Sequence, residues 1–292
     1  GGTESIRYMV SGNYFDQEGI IQNSYFKRYS FSTNIDSDLT DRLRISTSLK
    51  AAKVDNKQAR DKGQFNQGVV GSAINLPGFF DTINEDGSYP DFWGFGYGVS
   101  VVRNPMAFIN EYDDQRDQLR FMGNVSVEYD IADGLYFKSF AGFDYHDINE
   151  NSFQNSFDYN VPAFPQHNRG TIQATGSHNS TNDFNWLWEN TMHYNKILNE
   201  DNKIGALIGV TSQRSISNYA FINATNFPDN LVPTLNAGQI TGASSSISEW
   251  ALVSYLARIN YGHKDKYFAT ATIRRDGSSR FGANNKWGNF PS

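Results

Sequence analysis

The chain has 292 residues, a formal net charge of −6, no cysteine, and many aromatic residues (22 Phe, 16 Tyr and 5 Trp). The acidic balance argues against nucleic-acid binding, which needs a basic surface, and the absence of cysteine excludes disulfides and thiolate metal sites. The sequence contains no run of about 18 apolar residues, so a transmembrane helix is excluded.

Nine segments of the chain alternate apolar and polar residues, which is the period of a β-strand with one apolar face. In 118–131, for example, Val125 and Val127 share one face, whereas Asn124 and Glu128 share the other. The predicted strands are 5–15, 25–36, 42–53, 118–131, 135–149, 183–196, 203–217, 248–261 and 266–276.

The connections between these strands alternate between short and long. The short ones carry Asp, Asn and Gly, as hairpin turns do; they are 37–41, 132–134, 197–202 and 262–266. The remaining connections are polar, and most are long; they are 16–24, 54–117, 150–182 and 218–247. Short turns on one side and long loops on the other are typical of bacterial outer-membrane barrels.

The predicted fold class is therefore all-β: an antiparallel up-and-down transmembrane β-barrel segment of about nine strands. Tyrosines near the short turns would form an interfacial girdle; these are Tyr129, Tyr194, Tyr261 and Tyr267. Because an odd number of strands does not close a bacterial barrel, we expect a piece of a larger protein. Its sheet would be open and curved, with unpaired edges at 5–15 and 266–276.

Several stretches resemble one known family. Residues 275–282 read Arg-Asp-Gly-Ser-Ser-Arg-Phe-Gly, and 287–292 read Trp-Gly-Asn-Phe-Pro-Ser. Together with 8–30 and 185–195, they resemble the SusC/RagA family of TonB-linked outer-membrane transporters of the Bacteroidota. The visible departure is Asn289, where the family more often has an aromatic residue.

The resemblance implies a large closed barrel of about 22 strands in the bacterial outer membrane, crossing it many times. It also implies an N-terminal plug, a SusD-like surface lipoprotein as a lid, and import of oligosaccharides or peptides driven by TonB. Residues 1–292 would be part of the barrel domain, with the plug and later strands outside the chain. Two alternatives remain open: a TonB-dependent siderophore or cobalamin receptor, and a secreted all-β glycan-binding protein with a closed core.

The C-terminal block offers residues of catalytic type, but the closest histidine in the sequence, His263, lies at the opposite end of the same hairpin, so an enzyme is not predicted. We interpret the block as structural, with Gly277 turning the chain outward and Arg275, Asp276 and Arg280 pairing within the barrel. The signature residues are Arg275, Asp276, Gly277, Ser278, Ser279, Arg280, Phe281, Gly282, Trp287, Gly288, Phe290 and Pro291.

An aromatic island at 89–97 lies in the longest loop. Exposed aromatic side chains could contact a glycan or a partner protein, or the rings could pack against neighbouring loops, and both interpretations stay open. The residues concerned are Tyr89, Phe92, Trp93, Phe95 and Tyr97. On the strands, we expect Arg44, Lys50, Asn124, Glu128 and Arg258 to point into the lumen.

No cofactor or metal site is predicted from the sequence. The five histidines show no spacing that would place two ligands on one strand face or helix turn. Residues 84–87 (Asn-Glu-Asp-Gly) have calcium-loop residue types without the spacing of an EF-hand loop or its closing Glu, and a loop turn is the simpler interpretation.

Overall fold

A computed structural model describes residues 1–60, 68–76, 78, 81–90, 103–160 and 169–292 of the chain. The all-β prediction is confirmed. Ten strands form one antiparallel sheet in which neighbours in space are also neighbours along the chain, apart from a small two-stranded excursion. No helix among the described residues is long and apolar enough to cross a membrane.

Most of the described strands belong to the ten-stranded sheet, and the other elements lie in the connections between its strands. The strands are β1 (Ile6–Glu18), β2 (Tyr25–Thr40), β3 (Leu43–Lys57), β4 (Tyr112–Ala132), β5 (Leu135–Gln154), β6 (Phe157–Asn160), β7 (Arg169–Ile172), β8 (Thr175–Asn199), β9 (Asn202–Thr225), β10 (Gln239–His263), β11 (Tyr267–Ser278) and β12 (Trp287–Pro291). β6 and β7 pair only with each other. The helices are α1 (Val69–Asn75), α2 (Pro105–Asn110) and a 3-10 turn at Leu235–Ala237.

The sheet has ten strands where the sequence predicted nine, and the additional strand changes one edge. β12 pairs with β11 from Ile273 to Gly277, so the prediction of an unpaired edge at 266–276 is wrong for the second half of that segment. β12 is only five residues long, too short to show an alternating pattern. The outermost strands, β1 and β12, do not pair with each other, so the described sheet is open, as predicted.

The strands in the middle of the sheet are much longer than a membrane crossing requires. β8 and β10 each contain 25 residues, whereas a tilted transmembrane strand needs about 9–11. At about 3.3 Å per residue, β10 with its 25 residues is about 80 Å long along its own direction. The excess lies on the side of the long loops, because the other ends are tied by turns of two or three residues.

The short turns meet the conformational demands of tight hairpins. Gly134, in the β4–β5 turn, has a φ of 73°, and a Cβ there would lie 2.0 Å from the carbonyl oxygen of Asn195. In the β10–β11 turn, Lys264 and Asp265 also adopt positive φ, at 57° and 51°. These are the left-handed conformations that such turns require.

Cross-strand register separates the sheet into two chemically distinct faces. One row along the apolar face consists of Leu43, Tyr129, Phe137, Met192, Ile208, Ala257 and Ile273. The adjacent row on the polar face includes Arg44, Glu128, Lys138, Thr191 and Arg274. Exposed apolar side chains such as Val10, Ile208 and Ile259 (62, 59 and 56% exposed) lie on the apolar face.

The sheet is a single layer, and nothing among the described residues packs against it as a second layer. The buried apolar side chains lie mostly in the loops, as Val69, Ala107 and Phe108 do, rather than between two sheets. The secreted-protein alternative requires a closed core, and the described part of the chain has none.

Candidate functional site: the polar face and its loops

The polar face carries the five side chains that we predicted from the sequence to point into the lumen. Arg44, Lys50, Asn124, Glu128 and Arg258 all occupy this face according to the strand register. Two of them contact each other directly, because Arg44 and Glu128 are opposite one another on β3 and β4. The chemistry of the face then differs between its two ends.

Across β3, β4 and β5 the polar face carries several ion pairs. We call the seven paired residues the ion-pair region; they are Arg44, Arg116, Arg120, Glu128, Asp130, Asp144 and Glu150. Arg44 donates to Glu128 at 2.9 Å and to Asp130 at 2.6 Å. Arg120 makes a two-point contact with Asp144, at 3.0 and 2.8 Å. Nearer the long-loop ends of β4 and β5, Arg116 lies 3.2 Å from Glu150. Each of these cations already has a carboxylate partner.

From Thr211 to Thr225 on β9 and from Gly242 to Leu256 on β10, the same face carries no residue that is charged at neutral pH, and we call this part the uncharged strip. Lys203 and Arg258 lie on the same face nearer the short turns. Its members are hydroxyl and amide residues with a few apolar ones. They are Thr211, Gln213, Ser215, Ser217, Tyr219, Phe221, Asn223 and Thr225 on β9, and Gly242, Ser244, Ser246, Ser248, Trp250, Leu252, Ser254 and Leu256 on β10.

Two cations touch the margins of the uncharged strip without entering it. Arg274 donates to the Ser254 hydroxyl at 3.1 Å while paired with Asp276 at 2.7 Å. The guanidinium of Arg280 lies 5.0 Å from the ring centroid of Trp250, within cation–π range. Both contacts fix side chains at the edge next to the signature block.

The signature block links β10, β11 and β12 through several contacts. The backbone N–H of Ser279 donates to the Ala251 carbonyl at 2.9 Å, and its hydroxyl accepts from the Ala251 N–H at 2.8 Å. Ser278 accepts from the N–H of Arg280 through its hydroxyl, at 3.2 Å. Pro291 is opposite Ile273, and Phe281 is 61% exposed.

Two details of the block differ from the sequence interpretation. Asp276 pairs with Arg274, on the same face two residues away, and not with Arg275 or Arg280. Arg275 points to the other face, where its guanidinium lies 5.1 Å from the ring centroid of Trp287. The alternation of a strand explains both contacts, because residues two apart share a face and adjacent residues do not.

Gly277 is needed for close packing and not for a turn. It lies inside β11 with no positive φ, opposite Trp287. A Cβ at this position would come within 2.8 Å of the Trp287 ring, whereas one at Gly282 would meet nothing within 4 Å. Trp287 also stacks on Tyr255, with ring centroids 6.0 Å apart. A Cβ at Gly288 would likewise lie 2.9 Å from the ring of Phe290.

In the aromatic island, Tyr89 is the residue whose placement the structure describes, and it is buried. Its ring is 7% exposed and meets Phe157 edge-on at 5.4 Å. Its hydroxyl donates to Glu111 at 2.6 Å and accepts from Asn110 at 3.3 Å. Burial, followed by the hydrogen bond to Glu111, raises the pKa of Tyr89 to about 12. For this residue, loop packing is the arrangement observed.

The other four aromatic residues of the island, Phe92, Trp93, Phe95 and Tyr97, lie outside the described residues. Around Tyr89, the loops are held by a buried asparagine. Asn104, 3% exposed, donates to the carbonyls of Thr82 and Pro90 at 2.8 and 2.9 Å. It also caps α2, because its side-chain oxygen accepts from the Met106 N–H in the first turn of that helix. An open cavity of about 790 Å³ lies beside Tyr89, lined by residues such as Asp86, Ser156, Asp158 and Thr171.

A second loop, 226–238, is hydrogen-bonded through Asn230 to Ser156, which lies in the connection between β5 and β6. The Asn230 side chain accepts from the Ser156 N–H at 2.7 Å and donates to the Ser156 carbonyl at 2.8 Å. Phe227 packs edge-on against Phe153 at 5.0 Å. Sequence analysis did not single out Asn230 or Asn104, because an asparagine in a polar loop gives no sign of which backbone groups it will bind. Within the described ranges, no three His, Asp or Glu side chains are arranged to hold a metal ion.

Comparison with known proteins gives matches along the whole chain, although no family model matches it. A TonB-dependent receptor of Formosa agariphila, named P3, is 31% identical over 299 residues, which cover 100% of this chain and 29% of that receptor. The TonB-dependent receptor SusC of Bacteroides thetaiotaomicron is 25% identical over 309 residues, again across 100% of this chain and 29% of SusC. The chain thus spans less than a third of the curated relatives it matches.

Solved structures give the same picture of the fold. The structure of the RagAB peptide transporter superposes on 100% of this chain and 32% of the matched chain, with a TM-score of 0.80 and 22% identity. Its closed-closed state gives a TM-score of 0.78 over 99% of this chain. The open sheet therefore has the fold of one section of a transporter barrel. The chain is a homologue, over its whole length, of TonB-dependent receptors that include SusC, and the SusC/RagA resemblance in its sequence is confirmed.

Proposed function

We propose that this chain forms a section of barrel wall in a TonB-dependent outer-membrane transporter that imports oligosaccharides or peptides. The observation that carries the proposal is the combination of whole-chain similarity to TonB-dependent receptors with a single-layer, two-faced sheet. An apolar face directed to lipid and a polar face directed to the lumen is the arrangement that a membrane-spanning barrel needs.

In this function, the apolar face contacts outer-membrane lipid and the long loops lie outside the cell. The ion-pair region and the uncharged strip line the lumen, where they face a plug domain and the passing substrate. A SusD-like lipoprotein caps the loops, and TonB acts through a part of the protein beyond this barrel section. Similarity to SusC and to RagAB supports these partners.

Membrane orientation is tested by labelling single cysteines in the complete protein in its own cells, since this chain contributes no cysteine of its own. Leu231→Cys, at a loop residue that is 86% exposed, should react with a membrane-impermeant maleimide in intact cells. Asp201→Cys, in the β8–β9 turn, should react only after the outer membrane is permeabilised. Equal labelling of both positions in intact cells would contradict the proposal.

Transport is tested separately by uptake. A strain that lacks the encoding gene should lose uptake or growth on one class of oligosaccharide or peptide, and complementation should restore it. Deleting TonB should give the same loss. Unchanged uptake of every such nutrient in the gene-deletion strain would rule out the transport function, even if the labelling result places the protein in the outer membrane.

A further inference from the structure

Arg275 is a cation on the apolar face of the sheet. Its two neighbours across the strands are Tyr255 on β10 and Asn289 on β12, and neither of them carries a charge. Ile273, two residues earlier on the same face, is an exposed apolar side chain. Arg275 is itself exposed and makes no ion pair or side-chain hydrogen bond within the described chain. An unpaired guanidinium therefore lies on the surface that the proposed function directs to lipid.

The strands around Arg275 contain two carboxylates, and both are engaged elsewhere. Asp276 is on the polar face and pairs with Arg274 at 2.7 Å. Glu249 shares the apolar face but pairs with Arg214, also at 2.7 Å. β12 separates Arg275 from any later strand by two strand spacings, about 10 Å. Arg275 therefore lacks the protein partner that Arg214 has on the same face, and its counter-ion comes from its surroundings.

The height of Arg275 in the sheet corresponds to the outer-leaflet headgroups. Tyr267, eight residues earlier on β11, belongs to the predicted girdle beside the short turns. At about 3.3 Å per residue and a tilt of about 40°, Arg275 lies about 20 Å from that girdle toward the long loops, in an apolar band about 25 Å tall. A long side chain near the upper boundary extends to the headgroups while its methylene stem stays in the apolar layer.

Two aromatic rings hold the guanidinium at this boundary. Its central carbon lies 5.1 Å from the ring centroid of Trp287, and Trp287 stacks on Tyr255 with centroids 6.0 Å apart. The two residues are 48% and 52% exposed, and Trp and Tyr concentrate at the level of lipid headgroups. A cation–π contact uses the face of the guanidinium, so the N–H groups in its plane remain available to a ligand.

A phosphate group is the ligand that suits these N–H groups at this height. The planar guanidinium binds phosphate through two parallel N–H···O hydrogen bonds, which lysine cannot form. Opposite charges attract more strongly beside an apolar layer than in bulk water. A phosphate carried by a lipid is already anchored at this boundary by its acyl chains, whereas free phosphate would have to leave bulk water to reach it.

We propose that Arg275, Trp287 and Tyr255 form a binding site for the phosphate of an outer-leaflet lipid on the outside of the barrel. Arg275 binds the phosphate oxygens, and the two rings contact the lipid next to its headgroup. The inference adds a lipid partner to the proposed function and rests on the membrane orientation given there, but not on the transported substrate.

The test uses the complete receptor purified in detergent and native mass spectrometry, which counts bound lipids. The probes are phosphorylated lipid A, the same lipid A without its phosphates, and inorganic phosphate as a competitor. We expect one site to prefer the phosphorylated lipid A by about tenfold, the size of effect that hydrogen bonds to a charged group produce. Inorganic phosphate in molar excess should not displace the lipid, because the acyl chains add to its binding.

Variants then locate the site. Arg275→Gln should abolish the preference for the phosphorylated lipid A, and Arg275→Lys should retain part of it, because lysine attracts phosphate without the two-point geometry. Arg258→Gln is the matched control: Arg258 is also exposed and without an ion pair in the described chain, but it lies on the polar face of β10. We expect it to change the preference by less than about twofold.

A second measurement leaves Arg275 intact, which keeps the proposal testable if the glutamine variant does not fold. A photo-crosslinking amino acid replaces Asn289, opposite Arg275, and the receptor is reconstituted with an equal mixture of the two forms of lipid A. Capture should favour the phosphorylated form. The same amino acid in place of Ile259, which lies on the same face nearer the short turns, should capture both forms equally.

The site is overturned if the unaltered receptor shows no preference for phosphorylated lipid A, if Arg275→Gln leaves the preference unchanged, or if Arg258→Gln reduces it equally. Displacement by inorganic phosphate would indicate an ion site and would also contradict the proposal. Failure of the lipid site leaves the transport function standing when cysteine labelling and uptake succeed. Failure of the labelling experiment, by contrast, removes the lipid-facing surface and this site with it.

Discussion

The ion-pair region and the uncharged strip lie on the same face of one sheet, yet they are polar in different ways. In the first, Arg44 and Arg120 are held by carboxylates on neighbouring strands. In the second, Ser244, Ser246 and Ser248 have hydrogen-bonding capacity that the described chain does not use. The comparison shows that polar side chains on one face of a sheet can be bonded to each other in one region and left without a partner in the described chain in another.

The largest expected effect tests whether β9 really has a lipid face opposite the strip. Ile208 lies on the apolar face and is 59% exposed. Because a lysine near the bilayer midplane costs about 2–4 kcal/mol, Ile208→Lys should lower the free energy of unfolding of the complete barrel by that amount. The measurement is urea unfolding in lipid vesicles.

Leu207→Lys is the matched control, since Leu207 is the neighbouring residue on the polar face. We expect a change of less than about 1 kcal/mol there. Similar losses in both variants would mean that the two faces of β9 are not distinguished by lipid, and the assignment of the uncharged strip to the lumen would be wrong.

The next effect concerns the border of the strip, where the signature block packs. A Cβ at Gly277 would lie 2.8 Å from the Trp287 ring, so Gly277→Ala should displace Trp287 and cost about 1–3 kcal/mol through overpacking. Gly282→Ala, with nothing within 4 Å, should be close to neutral. Thermal unfolding of the two variants makes the comparison, and equal stability would show that the block does not depend on this packing.

The ion-pair region should show a smaller, salt-dependent effect. Arg120 and Asp144 are 48% and 33% exposed, and exposed pairs contribute about 0.2–1 kcal/mol. A double-mutant cycle with Arg120→Ala and Asp144→Ala should therefore give a coupling energy in that range. The coupling should decrease at high salt, where charges are screened. A coupling of zero at low salt would remove the distinction between the two regions.

The smallest effect is the pH dependence of the loop cluster. The raised pKa of Tyr89, about 12 compared with 10.0, means that the neutral hydroxyl is favoured in the folded state. Its stabilisation should be complete below pH 10 and should be lost between pH 10 and about 12. Hydrogen exchange of the Tyr89 amide, which donates to the Asp158 carbonyl at 3.1 Å, should accelerate beyond its intrinsic rate in that range. Tyr89→Phe should remove this extra pH dependence.

How far the sequence could predict the fold depends on whether one face of each segment is apolar. Alternation in 121–131 is clear because one face of β4 is apolar, and that part of the strand was predicted. Between Tyr112 and Gln118 the same strand continues with acidic and amide residues on both faces, and the pattern disappears. Because both faces are polar there, no period of two remains to be read.

The contacts of the candidate site depend on register, which composition does not contain. That Asp276 pairs with Arg274, and that Trp287 packs on Gly277, follows from strand alternation and from the β11–β12 pairing together. Part of the uncharged strip was also missed, because the serines of 244–246 look like loop residues in sequence. Only the pairing of β10 with β9 brings them next to Tyr219 and Phe221.

The most direct measurement of the central claim is spin labelling of single cysteines along β9 from Ile204 to Ser212 in the complete protein, reconstituted in lipid. Accessibility to oxygen, which partitions into lipid, should be high at the even positions and low at the odd ones. Accessibility to a water-soluble nickel chelate should show the opposite alternation. Such a period of two would establish a lipid face and a lumen face, whereas uniform accessibility along the strand would contradict the barrel section described above.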